Sequence, residues 1–125
     1  MEKINVEELL APRRPRENFN LFWVDGEYAL RVAKVEGTFP WHHHPDSDEG
    51  WFVYKGRLTI QTEGVDVTLE EGEAAMVPRG LVHAPRADAD GTIVMIVNGR
   101  GFETVFRDGD SLESVGFAEE DVAAG

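Results

Sequence analysis

The sequence predicts an all-β barrel with short helical or irregular segments at its two ends. From Phe19 to Arg107 it is a succession of short β-branched and aromatic runs, cut by Gly, Asp and Pro at the intervals of sandwiches and barrels. No long helical pattern interrupts them. A length of 125 residues, with 42% hydrophobic and 29% charged side chains, suits one packed core that needs no disulfide or structural-metal staple. The chain 1–125 is therefore read as a single domain: an arm over 1–18, a core barrel over about 19–107 and an acidic tail over 108–125.

Val6–Ala11 reads as a short helix ended by Pro12, and Arg13, Arg14 and Arg16 follow in an arm expected to lie on the barrel or on a second subunit. The plainer expectation for the arm is a solvated, mobile terminus. Phe22–Val24 and Tyr28–Glu36 flank Asp25-Gly26, a dipeptide suited to the positive φ angles of a two-residue hairpin turn. Trp51–Tyr54, Arg57–Thr62 and Val65–Leu69 form a meander through Lys55-Gly56 and Glu63-Gly64. Ala74–Val77 is a short strand stopped by Pro78-Arg79-Gly80, and Thr92–Val97 and Phe102–Arg107 read as two strands joined by Asn98-Gly-Arg-Gly101. After Arg107 come six acids and no basic residue, read as a solvating surface, with a short helix from Ser111 or Ala118 and disorder at the very end.

Twelve Lys and Arg against 24 Asp and Glu leave a formal charge of −12, which repels phosphate backbones and anionic lipid, so nucleic acid and membrane are set aside as partners. There is no cysteine, hence no thiolate ligand or nucleophile. Met1–Leu10 lacks an apolar signal core, and no stretch reaches the roughly 18 apolar residues of a membrane span, so a cytoplasmic location is expected.

Three of the four histidines are consecutive in Trp41-His42-His43-His44-Pro45. In an extended segment His42 and His44 share a face and His43 points away. Pro45-Asp46-Ser47-Asp48 has turn composition, so the chain reverses and brings Glu49 beside the pair. His83, behind Pro78-Arg79-Gly80, supplies a third imidazole. Imidazole and carboxylate without thiolate suit one divalent ion, Fe, Mn, Ni, Zn, Cu or Co, and four protein ligands leave positions vacant for a small-molecule substrate. Trp51 shares the inward face of Glu49 and is a candidate pocket wall, whereas Asp46 and Asp48 are read as solvated turn residues.

These residues resemble the two motifs of the cupin superfamily. Gly37, His42, His44, Glu49 and Gly56 follow the first, and Gly72, Pro78, Gly80 and His83 follow the second. The resemblance implies the cupin double-stranded β-helix, a jelly-roll barrel, with His42, His44, Glu49 and His83 on one metal ion. It departs in two places: four residues rather than five separate Gly37 from His42, and Ala87 stands where the second motif ends in asparagine. The fifteen-residue gap between Gly56 and Gly72 resembles that of small single-domain bacterial cupins, which implies a homodimer.

The expected function is a metal-dependent enzyme on a small organic molecule, dioxygenase-like with a redox metal or isomerase-like without one, with Glu49 also a candidate acid–base group. The alternative is a non-catalytic module that binds or senses a small molecule or a metal. A purely structural barrel leaves three imidazoles and a carboxylate needing partners, at about 1–3 kcal/mol for each unsatisfied group. Ser47 lacks the strand-turn-helix setting of a hydrolase nucleophile.

Overall fold

A computed structural model describes residues 1–122. Its described residues form one short helix, α1 (Val6–Leu10), and eleven strands: β1 (Glu17–Val24), β2 (Tyr28–Val35), β3 (His42–His43), β4 (Glu49–Lys55), β5 (Arg57–Thr62), β6 (Val67–Glu70), β7 (Ala74–Val77), β8 (His83–Ala87), β9 (Thr92–Gly99), β10 (Val105–Phe106) and β11 (Ala118–Asp121). One sheet runs β11-β1-β2-β9-β4-β7 and the other β10-β3-β8-β5-β6. All pairings are antiparallel except β1 with β11.

The β1–β2 hairpin turns at Asp25-Gly26 with φ of 54° and 64°, the left-handed pair that matches strand twist in a two-residue turn. Gly56 turns β4 into β5 at φ 88°, and a Cβ there would lie 2.8 Å from the Cα of Thr92, so the turn admits only glycine.

Two apolar clusters hold the molecule together, one on each face of the six-stranded sheet. Trp51, Val53, Val77, Val94 and Ile96 pack between the sheets against Leu58, Ile60 and Leu69. On the outer face, Leu10 meets Phe19, Leu21, Val32 and Ile93, joined by Ile4, Val6 and Leu9. The arm is thus a cover over the barrel wall rather than a loose terminus. Lys34 Nζ donates to the carbonyls of Ala11 and Arg13, and Arg16 donates to those of Val115 and Thr38.

Three expectations change. The segment 102–107 is a strand only at Val105–Phe106, and it joins the other sheet beside β3 instead of pairing with β9. Its backbone is taken elsewhere: Glu103 N donates to the Asp46 carboxylate and Glu103 O accepts from His44. No helix follows Ser111, because the turn that reciprocal Ser111–Ser114 hydrogen bonds close ends at Gly116, φ 72°. Nor does one start at Ala118. There β11 lies parallel to β1, drawn by Asn20 Nδ2 donating to Glu119 and Asp121 and by Trp23 Nε1 donating to Asp121. The tail acids therefore tie the chain down as well as meeting solvent. The disorder expected at the very end falls on residues 123–125, outside the described residues.

Candidate metal centre

The cavity between the sheets is lined along β2 by Ala29, Arg31, Ala33 and Val35, along β4 by Glu49 and Trp51, and along β9 by Val94, Ile96 and Asn98. Period-two alternation puts each set on the inward face. The opposite parity of β2, Leu30 and Val32, faces the arm.

At one end of this cavity His42, His44, Glu49 and His83 meet, all buried, each offering a ligand atom within 4.8 Å of the others. Register explains the meeting: His42 pairs directly with His83 across β3 and β8, while Glu49 opens β4 on the facing sheet. The turn before His83 is tied to the first histidine strand, since Gly80 N donates to His44 O at 2.8 Å. His43 stays outside the cluster. Asp46 and Asp48 fasten loops, accepting from Glu103 N and Arg79 N.

Each ring is aimed by the main chain. The Nδ1 atoms of His42, His44 and His83 each lie 2.8 Å from a carbonyl, of Pro40, Glu103 and Leu81 respectively. A carbonyl only accepts, so Nδ1 carries the proton in all three and Nε2 is left to face the centre. Nε2 of His83 and of His44 each lie 3.2 Å from a Glu49 oxygen. The His44 Nε2 is buried and, despite that approach, makes no hydrogen bond. Lone pairs of imidazole and carboxylate pointed at one another call for a cation between them, and this N₃O donor set fits a divalent ion.

The electrostatics agree. Burial, with His83 beside it, lowers the His42 pKa to about 4, so that ring is neutral and ready to ligate. Burial pushes the Glu49 carboxyl up, but His44 and His83 outweigh it and hold Glu49 well below the ordinary range. For His44 burial pulls down and Glu49 prevails, raising the pKa. Without a metal, a proton on His44 balances the carboxylate.

Trp51 lines the cavity and donates Nε1–H to Glu49 Oε1 at 2.9 Å. Two participants were not singled out from sequence. Asn98 Nδ2 donates to Glu49 Oε2 at 3.0 Å, and Arg31 Nη2 donates to Asn98 Oδ1 and lies 4.0 Å from Glu49 Oε2. Both oxygens of Glu49 are thus braced. Parity gave no signal for Arg31: alternating with Leu30 and Val32, it reads as the solvent-facing residue of its strand.

The chain is similar to known proteins. A family model described as Cupin domain, Cupin_2, matches residues 28–97. The protein YdbB of Bacillus subtilis is 34% identical over 89 residues, 70% of this chain and 77% of that protein. A cupin-2 domain containing protein from Shewanella frigidimarina is 31% identical with a TM-score of 0.69, covering 78% of this chain and 94% of its own. Hydroquinone 1,2-dioxygenase PnpCD, solved with Cd2+ and 4-hydroxybenzonitrile, shares the fold at 18% identity and a TM-score of 0.66, over 78% of this chain and 72% of that one. With the matched stretch covering more than half of the sequence and both histidine motifs converging on one cavity, the chain belongs to the Cupin_2 family.

Proposed function

We propose that the protein is a metal-dependent enzyme acting on a small organic molecule, with His42, His44, Glu49 and His83 as the ligands of one divalent ion. The observation that carries this is the common aim of the three Nε2 atoms: every Nδ1 is engaged by a carbonyl, and the remaining nitrogens share a buried centre with one carboxylate. The bound ion would supply Lewis-acid polarisation or, with a redox metal, electron transfer. The chain's own residues orient the ligands, exclude water and shape a cavity of about 200 Å³. That is smaller than the roughly 300–1,000 Å³ of sites for drug-sized ligands. Trp51 and Asn98 brace Glu49 in its ionised form, which supports a fixed ligand role over acid–base exchange.

Elemental analysis of protein purified without an affinity tag tests the site. About one metal per chain is expected, with strong loss in His42→Ala and His83→Ala and a retained fold. Full metal retention in both variants would overturn the assignment. Turnover of diketones, catechols, thiols and sugar phosphates with several reconstituted metals separates dioxygenase-like from isomerase-like chemistry. Tight binding without turnover would assign a binding module instead.

A homodimer belongs to the same proposal. Phe22, Leu30, Val97, Gly50 and Met76 are register partners in one row across β1, β2, β9, β4 and β7, on the outer face. Val97 is 41% and Met76 62% exposed. The arm covers the neighbouring part of this face, and a second copy covering the rest would complete it.

A further inference from the structure

Arg31 and Glu49 are the only buried Asp, Glu, Lys or Arg side chains among the described residues. Bracing Glu49 does not account for Arg31. A guanidinium carries five N–H donors, and the one hydrogen bond that Arg31 makes runs from Nη2 to Asn98 Oδ1. Nε is buried without a partner, and Glu49 Oε2, at 4.0 Å, lies beyond hydrogen-bond reach. Phe102 takes the face of the group, its ring centroid 4.7 Å from Cζ, so what stays open is the in-plane edge. Burying a cation with so few acceptors is costly unless something on the cavity side supplies them.

An open guanidinium edge on a cavity wall is shaped for a planar anion, because two parallel N–H donors match two carboxylate oxygens. The local charge points the same way: Arg16, Arg31 and Lys34 offset Glu36, Glu49 and Glu119 in the cavity lining, so a divalent ion there leaves the chamber electropositive inside an acidic chain. Resting on the metal reading above, we infer that the substrate is a small carboxylate with an oxygen donor on the adjacent carbon, a 2-oxo or 2-hydroxy acid, whose carboxylate is held by Arg31. The rival role for Arg31 is purely one of position, steadying Asn98 and through it Glu49.

Charge selectivity separates the two. Zinc-reconstituted protein is titrated with pyruvate and with pyruvamide, which keeps the ketone and replaces the carboxylate by a neutral amide, and zinc content is measured alongside. Wild type should bind pyruvate roughly tenfold or more tightly than pyruvamide. In Arg31→Gln that ratio should fall severalfold with zinc retained, the remainder being the ion's own attraction for the anion, and Arg31→Lys, which restores charge without the fork, should recover part of the loss. Equal weakening of both ligands in Arg31→Gln, or no preference for pyruvate in wild type, overturns the inference. Should Arg31→Gln fail to fold, the wild-type and Arg31→Lys ratios still decide. Should wild type hold no zinc, the metal reading falls, and the same pair of titrations on zinc-free protein judges the anion site by itself.

Discussion

His42 gives the residue scale its sharpest handle, a pH dependence of known sign. Its pKa, lowered from 6.5 to about 4 by burial and by His83, means that the unfolded chain takes up a proton which the folded chain refuses. Stability is therefore intact above pH 6.5 and lost as pH falls to about 4, by roughly 3 kcal/mol. The raised pKa of His44 works oppositely, its contribution being present at low pH and lost as pH rises through the folded value. Comparing metal-free wild type with His42→Asn isolates the first effect. Urea unfolding should show the variant gaining about 3 kcal/mol on wild type between pH 7 and pH 4. The convergence of His42, His44 and Glu49 was legible in the sequence, because alternation within His42-His43-His44 and a turn before Glu49 are local facts. Arg31 was not. In β2 it alternates with Leu30 and Val32, and that pattern normally places the charge in solvent and the aliphatics in the core. Here the aliphatics are covered by the arm, and the face carrying the arginine is the one turned inward.

Single elements show the same dependence on partners. The Asp25-Gly26 hairpin and the turn at Gly56 were readable because backbone handedness dictates their residues. Gly56→Ala should cost about 2–3 kcal/mol in denaturant unfolding, from strain at positive φ and from the approach of Thr92. By contrast, β11 has the composition Ala-Glu-Glu-Asp, which favours no strand; it is extended because the side chains of Asn20 and Trp23 receive its acids. Pro85 hid β8 in a similar way. Pro85 meets the segment 37–39 along the edge that its missing N–H would face, and there it contributes only its carbonyl, which accepts from Phe39 N. Helix α1 was visible from its stop at Pro12, and of the places expected for the arm the structure takes the barrel wall. Leu10→Ala should cost about 2–4 kcal/mol in the same unfolding measurement, whereas a mobile arm would lose almost nothing.

At the scale of the whole molecule, the jelly-roll pairing brings residues more than thirty positions apart onto one centre, as in His83 with Glu49. It also leaves the apolar row ending at Met76 facing outward. Sedimentation velocity should find a dimer of wild type, and Met76→Asp should shift it to monomer while the bound metal is unchanged. A monomeric wild type would remove the second copy from the proposal.

The rings of the centre owe their orientation chiefly to carbonyl groups of Pro40, Glu103 and Leu81, with the Thr104 hydroxyl beside Nδ1 of His44 as a further contact. Seat and chamber are accordingly separable. Exchanges at Ala29, Ala33 or Val35 can recontour the space a guest must fill without turning an imidazole out of line. A scaffold wired in this manner can trade one guest for another while its four donor side chains stay where they were.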